Sequence, residues 1–327
     1  MPSYPSPTTT TQDISKSVTA LPELTLVENK LQQVLTGHND ALTKMGLHLL
    51  SAGGKRLRPM LVICAGRSLA PLTPKLINTA AALELIHMAS LVHDDIIDFS
   101  ATRRGKPSLN TLWGNHPSVL AGDFLFARAF GLLSTSGLSN CLKLAVDTIE
   151  QMCQGEIQQA VTGFQLGITE DEYLKIITKK TAVLLSASCQ AGALIAKANK
   201  ETVLALGEYG RYLGLTYQII DDLLDLTGQP GEMGKPIGQD LHLGNITLPL
   251  VILMSNHEQI PLLEEALANK KYNEIIKVLH TSGAIEAARE KAASYATKAK
   301  SCLSCLSPSP YKDLLLALPS LALNRVN

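Results

Sequence analysis

Aromatic side chains are scarce. Phe, Trp and Tyr make up 4% of the 327 residues, and there is one Trp. That shortage excludes the stacking platforms on which single-stranded nucleic acid is held. Excess charge is missing too, because 29 Lys and Arg balance 29 Asp and Glu. A zero balance excludes a nucleic-acid binder driven by the phosphate backbone, which needs a basic surplus. Any charge-based function must come from local clusters. The six cysteines, Cys64, Cys141, Cys153, Cys189, Cys302 and Cys305, are scattered through apolar stretches and lack the density of a disulfide scaffold. Cys302 and Cys305 form one Cys-x-x-Cys, but no second pair or histidine completes a zinc set. Two buried or half-buried thiols one helical turn apart are expected there. No stretch of about 18 apolar residues is free of charge, so no transmembrane segment is expected. The N-terminus, MPSYPSPTTTT, has neither a basic start nor an apolar run and does not read as a secretory signal. These features imply a reducing, cytoplasmic protein.

What is present is a globular composition, 46% hydrophobic and 18% charged. Apolar residues recur at helical spacing, rich in Leu and Ala. Alternating Val, Ile, Thr and Tyr runs bounded by hairpin turns are missing. The fold class is therefore all-α. Helices are predicted over about 24–51, 57–69, 74–100, 116–134, 139–162, 169–198, 200–226, 245–254, 258–267, 271–279, 281–299 and 308–322. Breaks fall at Gly53-Gly54, Pro71 to Pro74, Gly105 to Pro107, Gly163 to Gly167 and Gly228 to Gly238. Residues 1–22 read as a disordered tail and residues 23–327 as a single domain.

One pattern occurs twice. HMASLVHDDIID (87–98) and GLTYQIIDDLLD (214–225) both end an apolar helical run in Asp-Asp-x-x-Asp. Asp94 and Asp98, at i and i+4, share a helix face, with Asp95 between them. Asp221, Asp222 and Asp225 repeat the arrangement. Two carboxylates about 4 Å apart repel by roughly 4 kcal/mol at an effective dielectric of 20, so three on an apolar helix need a cation. Oxygen donors without Cys or ligand-spaced His favour a hard ion, Mg²⁺ above all, which shares its shell with substrate phosphates. A solvated helix end would explain one such cluster; two with matched spacing and apolar lead-ins point to function.

Basic segments flank the first cluster. Lys55 and Arg58 in GGKRLRP (53–59) are three apart and can converge on one anion; Arg103 and Arg104 follow in RRGK. Arg offers a planar fork suited to phosphate oxygens. Lys180, Thr181, Gln218 and Lys235 add polar groups to apolar helical contexts. His87 stands two turns before Asp94 and forms one Glu-x-x-His with Glu84. A di-iron bundle needs two of these and two further Glu.

GGKRLRP (53–59), DDIIDFSATRRGKPS (94–108) and YQIIDDLLDLTGQPGEMGKPIGQD (217–240) resemble the trans-type polyprenyl diphosphate synthases, from about residue 24 onward. The resemblance implies the all-α isoprenoid-synthase fold, helices around a deep cavity with both Asp motifs at its mouth. It implies head-to-tail addition of isopentenyl diphosphate to an allylic diphosphate. By the same resemblance, Asp94, Asp95, Asp98, Asp221, Asp222 and Asp225 hold Mg²⁺ with the allylic diphosphate, which Arg103, Lys180 and Lys235 contact. Lys55, Arg58, His87 and Arg104 bind isopentenyl diphosphate, and Thr181 and Gln218 line the developing positive charge. The departing diphosphate is the implied base.

Product length is partly readable. Short-chain members similar to this chain carry bulky aromatics four and five residues before the first Asp, where this sequence has Ser90 and Ala89. Small side chains leave a channel open and imply a product longer than geranylgeranyl. Phe124, Phe126 or Phe130 could floor the cavity more deeply. Asn245 in GNIT (244–247) replaces the Lys of many short-chain relatives. A geranylgeranyl or farnesyl diphosphate synthase is the shorter alternative. A regulatory partner subunit usually lacks one Asp motif, and a terpene cyclase lacks an isopentenyl diphosphate site. The family includes homodimers and heterodimers with a small subunit. A quinone side chain is the implied use, and an apolar product would favour loose membrane association.

Overall fold

The structure is a computed structural model and describes residues 21–37, 39–135, 137–228, 238–255 and 259–326. The chain opens with α1 (Pro22–Leu35), α2 (Asp40–Ser51), α3 (Leu57–Arg67) and α4 (Pro74–Ile97). A short hairpin, β1 (Thr102–Arg103) and β2 (Lys106–Pro107), leads to α5 (Leu109–Trp113), α6 (Asn115–Leu133) and α7 (Ser139–Val161). Then come α8 (Glu170–Ile177), one turn of π-helix over Thr178–Ala182, α9 (Val183–Ile195) and α10 (Lys200–Thr227). The remaining helices are α11 (Gln239–Leu243), α12 (Leu248–Met254), α13 (Ile260–Ala268), α14 (Tyr272–Thr281), α15 (Ala284–Cys302) and α16 (Pro310–Leu323).

The all-α expectation holds, with local corrections. The predicted helix 24–51 is two helices. Gly37 takes φ 82°, and Asn39 caps α2 by accepting the Leu42 N–H at 2.8 Å. The π-turn interrupts the predicted helix 169–198. The expected tail falls on residues 1–20, outside the described residues, except that Leu21 is buried and Pro22 begins α1. Cys302 is half-buried, but Cys305 is exposed rather than buried, because α15 ends at Cys302 and a 3₁₀ turn carries Cys305 outward.

By packing, the chain divides into two compact units. The first comprises residues up to 149 with 187–207 and 305–315; the second comprises 150–186, 208–304 and 316–327. The first unit is centred on α4, which is apolar on nearly every face, as a central helix must be. The 18-residue stretch of α4 apolar enough to cross a membrane is 72% buried within the fold. Its core joins Leu31 and Leu35 of α1, Met60 and Ile63 of α3, Leu83 and Ile86 of α4, and Leu125 of α6. Truncating any of these to Ala costs about 2–5 kcal/mol. Where α9 crosses α3, a Cβ on Gly192 would stand 2.8 Å from the Gly66 nitrogen, so only glycine permits that approach. The second unit packs Ile219, Ile220 and Leu223 of α10 against Leu248 and Val251 of α12, Leu279 of α14 and Ala288 of α15.

Candidate active site

Each Asp cluster lies in the final turns of its helix, Asp94, Asp95 and Asp98 on α4 and Asp221, Asp222 and Asp225 on α10. That end of a helix carries partial negative charge, so a carboxylate there is unfavourable unless something answers it. What answers each one separates six residues that the sequence treats alike.

In the first unit, Asp95 is buried and answered by Arg103, whose Nε and Nη2 donate to Oδ1 at 2.8 and 2.5 Å. Asp94 is half-buried, and Asp98, the C-cap of α4, is exposed. In the second unit, Asp221 pairs with Arg325 at 2.7 Å. Asp222 is buried; its Oδ2 accepts the Tyr173 hydroxyl at 2.6 Å and its Oδ1 the Gln218 amide at 2.8 Å. Burial first, then the Asp240 charge, pushes Asp222 up to about 8 against those two hydrogen bonds. The two oxygens of Asp225 accept the backbone N–H groups of Gln239 and Asp240, each at 3.1 Å, at the start of α11. Asn245 donates to Asp240 at 3.1 Å.

Among the described residues no three His, Cys, Asp or Glu side chains converge as a ready-made metal cage. Mg²⁺ does not require one, since one or two carboxylates and substrate phosphates complete its shell. In each unit taken by itself, hard oxygens with surface access suit such an ion: Asp94 and Asp98 in the first, Asp221 in the second. Asp95, Asp222 and Asp225 already accept hydrogen bonds from protein donors.

The basic groups of the first unit are set by two loops. Arg104 at φ 53° and Gly105 at φ 74° form the turn between β1 and β2, the primed geometry that two-residue hairpins favour. The hairpin is sewn to the end of α2: Arg104 Nη1 donates to the Gly53 carbonyl, Lys106 Nζ to the Ser51 carbonyl at 2.7 Å, and His48 Nε2 meets the Pro107 carbonyl at 2.8 Å. Gly54 takes φ 153°, and a Cβ there would force the Arg104 guanidinium to shift. A small cleft of about 30 Å³ is lined by Arg56, Glu84, His87, Asp95, Arg103 and Arg104 among others. Lys55, exposed, and Arg58, half-buried, lie outside that lining. Burial first, then the charges of Arg58, Arg104, Arg103 and Arg56, holds His87 well below its usual pKa.

In the second unit, Lys180 and Thr181 sit on the π-turn, a distortion frequent at functional sites. Lys180 pairs with Glu156 at 2.9 Å. Thr181 donates to the Gln218 carbonyl at 2.6 Å, so Thr181, Gln218, Asp222 and Tyr173 form one hydrogen-bonded chain. Lys235 lies outside the described residues. Before the first cluster, Ala89 is fully buried and Ser90 half-buried, its hydroxyl donating to the His87 carbonyl at 2.9 Å. Phe124, Phe126 and Phe130 are all half-buried, and the Phe126 ring lies 5.9 Å from that of His93.

Sequence reasoning missed Arg56, Glu156, Tyr173 and Arg325. Tyr173 falls on an apolar helical position and reads as core. Arg56 was hidden between two cations expected to bind substrate. Arg325 follows the last periodic segment and carries no pattern.

Residues 39–281 match the polyprenyl synthetase family. The chain is 36% identical over 299 residues to heptaprenyl diphosphate synthase component 2 of Bacillus subtilis, covering 90% of this chain and 86% of that one. It is 34% identical over 290 residues to octaprenyl diphosphate synthase of Escherichia coli, covering 87% and 90%. Among solved structures, a polyprenyl synthase from Caulobacter crescentus, complexed with calcium and isoprenyl diphosphate, superposes with a TM-score of 0.89 at 32% identity, over 99% of this chain and 100% of that one. With its paired Asp-ended helices on an all-α isoprenoid-synthase fold, the chain belongs to the polyprenyl synthetase family of prenyltransferases.

Proposed function

We propose that this chain is a Mg²⁺-dependent synthase of a long all-trans polyprenyl diphosphate, heptaprenyl or longer. Asp94 and Asp98 of one cluster, with Asp221 and Asp225 of the other, hold Mg²⁺ with the allylic diphosphate. Bound Mg²⁺ supplies the positive charge that stabilises the departing diphosphate. Arg103 turns its fork to the same group, with Lys180 and Lys235, while its hold on Asp95 keeps it in place. Asp95 and Asp222 act by orienting Arg103 and Gln218. Lys55, Arg58, His87 and Arg104 bind isopentenyl diphosphate. Thr181 and Gln218 face the allylic cation through oxygen lone pairs, and apolar walls keep water from it. The departing diphosphate takes the proton released when the new double bond forms.

The observation that carries the length reading is Ser90. One turn before Asp94, it is half-buried, and its small side chain folds back on its own helix. In the length reading the growing tail passes this small side chain. The reading places the protein in the cytoplasm as one catalytic domain over 23–327, a homodimer, making the tail of a quinone and delivering it to a membrane. A second reading is favoured by the likeness to a component 2: the chain works as the catalytic half of a heterodimer with a small unrelated subunit.

The test uses the purified chain alone with Mg²⁺, farnesyl diphosphate and isopentenyl diphosphate, and product sizing by mass spectrometry. Heptaprenyl or longer product is expected, and Asp94→Ala abolishes it. Product stopping at geranylgeranyl rejects the length reading and keeps the enzyme. No product until a cell extract is added selects the heterodimer.

A further inference from the structure

Arg56 holds a left-handed backbone, φ 47° and ψ 39°, at the N-cap of α3. A non-glycine residue rarely takes this conformation, which persists where its surroundings over-determine it. Here a buried guanidinium does so, its side chain 9% exposed. It donates through Nη1 to Glu84 at 2.9 Å, through Nε to Glu28, and through Nη2 to the Leu50 carbonyl at 3.4 Å. One side chain thus ties the loop 53–56 to α1, to the end of α2 and to α4.

The other end of the clamp is also unusual. Glu84 is buried, and its Oε2 takes no hydrogen bond. A buried carboxylate left half-satisfied is costly, and such a group calls for an explanation. Its surroundings supply one. Glu84 lines the same cleft as His87, Arg103 and Arg104, and its charge helps Arg56 and Arg104 keep their protons. Cations gathered for an anion repel one another until the anion arrives. Glu28 and Glu84 provide negative charge that holds the cluster together beforehand, and preorganisation of this kind lowers the cost of binding.

The clamp is adjacent to the proposed isopentenyl diphosphate subsite at both ends. Lys55 precedes Arg56 and Arg58 follows it by two residues. His87 follows Glu84 by three, on the same side of α4. We propose that Arg56, clamped between Glu28 and Glu84, is a positioning residue for isopentenyl diphosphate: it fixes the turn that presents Lys55 and Arg58 and registers that turn against His87. This rests on the subsite reading given above.

Steady-state kinetics of three variants test it, with KM for each diphosphate and kcat measured separately, and thermal midpoints alongside. Arg56→Gly adopts the left-handed turn without the clamp. Glu28→Gln weakens the clamp at its more exposed end. Arg58→Ala tests the subsite itself. Expected are a KM for isopentenyl diphosphate raised roughly tenfold in Arg56→Gly and a few-fold in Glu28→Gln, with the allylic KM within about twofold of wild type. If Arg58→Ala raises that KM while the other two leave it unchanged, or raise both KM values together, the positioning role is overturned and the subsite stands. If Arg58→Ala leaves it unchanged, the subsite reading fails and the proposal with it. Should Arg56→Gly not fold, Glu28→Gln decides, and a wild-type KM there overturns the proposal.

Discussion

Arg325 forms an ion pair with Asp221 at 2.7 Å, and its guanidinium lies 5.4 Å from the centre of the Tyr217 ring. A carboxylate proposed to hold Mg²⁺ is therefore already answered by a cation of its own chain. The side chains are 30% and 48% exposed, and an exposed pair of this kind contributes at most about 1 kcal/mol. Competition with the metal is correspondingly mild. Arg325→Ala should lower the Mg²⁺ concentration for half-maximal turnover by at most about fivefold. A Mg²⁺ titration of turnover measures this. A midpoint that stays put or rises shows that Arg325 does not compete with metal at Asp221.

Tyr173 does not reach substrate in the proposed mechanism, yet it governs a residue that does. Its hydroxyl holds Asp222, which takes the amide end of Gln218, and so turns the carbonyl end toward Thr181. Thr181 must then donate, which leaves its lone pairs to face the cation. Tyr173→Phe removes one hydrogen-bond partner from a buried carboxyl group, at a cost of about 1–3 kcal/mol in stability. It also loosens the chain, so kcat should fall roughly ten- to a hundredfold with both KM values near wild type. Denaturant unfolding and steady-state kinetics read the two effects separately. Lost stability with an unchanged kcat makes Tyr173 a packing residue only.

The depressed pKa of His87 gives a pH dependence of stability with a definite sign. The folded chain carries it neutral, because burial and four arginines oppose its charge. The unfolded chain protonates it near pH 6.5. Below that value the unfolded state binds the additional proton, so stability present above about pH 6.5 is lost progressively as pH falls toward the folded pKa. Urea midpoints of wild type should drop between neutral pH and pH 5.5 by more than those of His87→Gln. Equal drops would mean that His87 is protonated in the fold. Inorganic diphosphate, by offsetting the arginine charges, should flatten the wild-type slope.

The fold was legible because helical periodicity is long-range and redundant: α4 and α10 each carry many turns of apolar residues, and their ends are marked by Asp-rich segments. The breaks at Gly53-Gly54 and Gly105 were legible because positive φ favours glycine. What the sequence hid was decided by tertiary partners. Asp95 and Asp98 look alike, but one meets Arg103 and the other faces solvent. Arg56, between Lys55 and Arg58, carries no sequence mark of its own, yet two carboxylates far away in sequence, Glu28 and Glu84, claim it. The π-turn at Lys180 has no composition of its own, and the pairing of Asp221 with Arg325 spans more than a hundred residues.

Ala89 and Ser90 look equivalent as small residues ahead of Asp94, but their burial separates them. Ala89 is fully buried, with no surface reachable by water, so a larger side chain there must displace packed neighbours. Overpacking of this kind costs about 1–3 kcal/mol or more. Ser90 is half-buried, and its hydroxyl only returns to the His87 carbonyl. A ring at position 90 starts from a half-buried site one turn from Asp94, on the path the channel reading gives the growing tail. Ser90→Phe should therefore shift the product toward shorter chains with little loss of stability. Ala89→Phe should lower the thermal midpoint, and any shortening it causes comes with that loss. Product sizing and thermal unfolding of both variants separate the two positions. If Ser90→Phe leaves the length distribution unchanged, the tail does not run past this face of α4. The half-buried Phe124, Phe126 and Phe130 on α6 then become the residues to enlarge or truncate next, because the sequence offers them as a deeper floor.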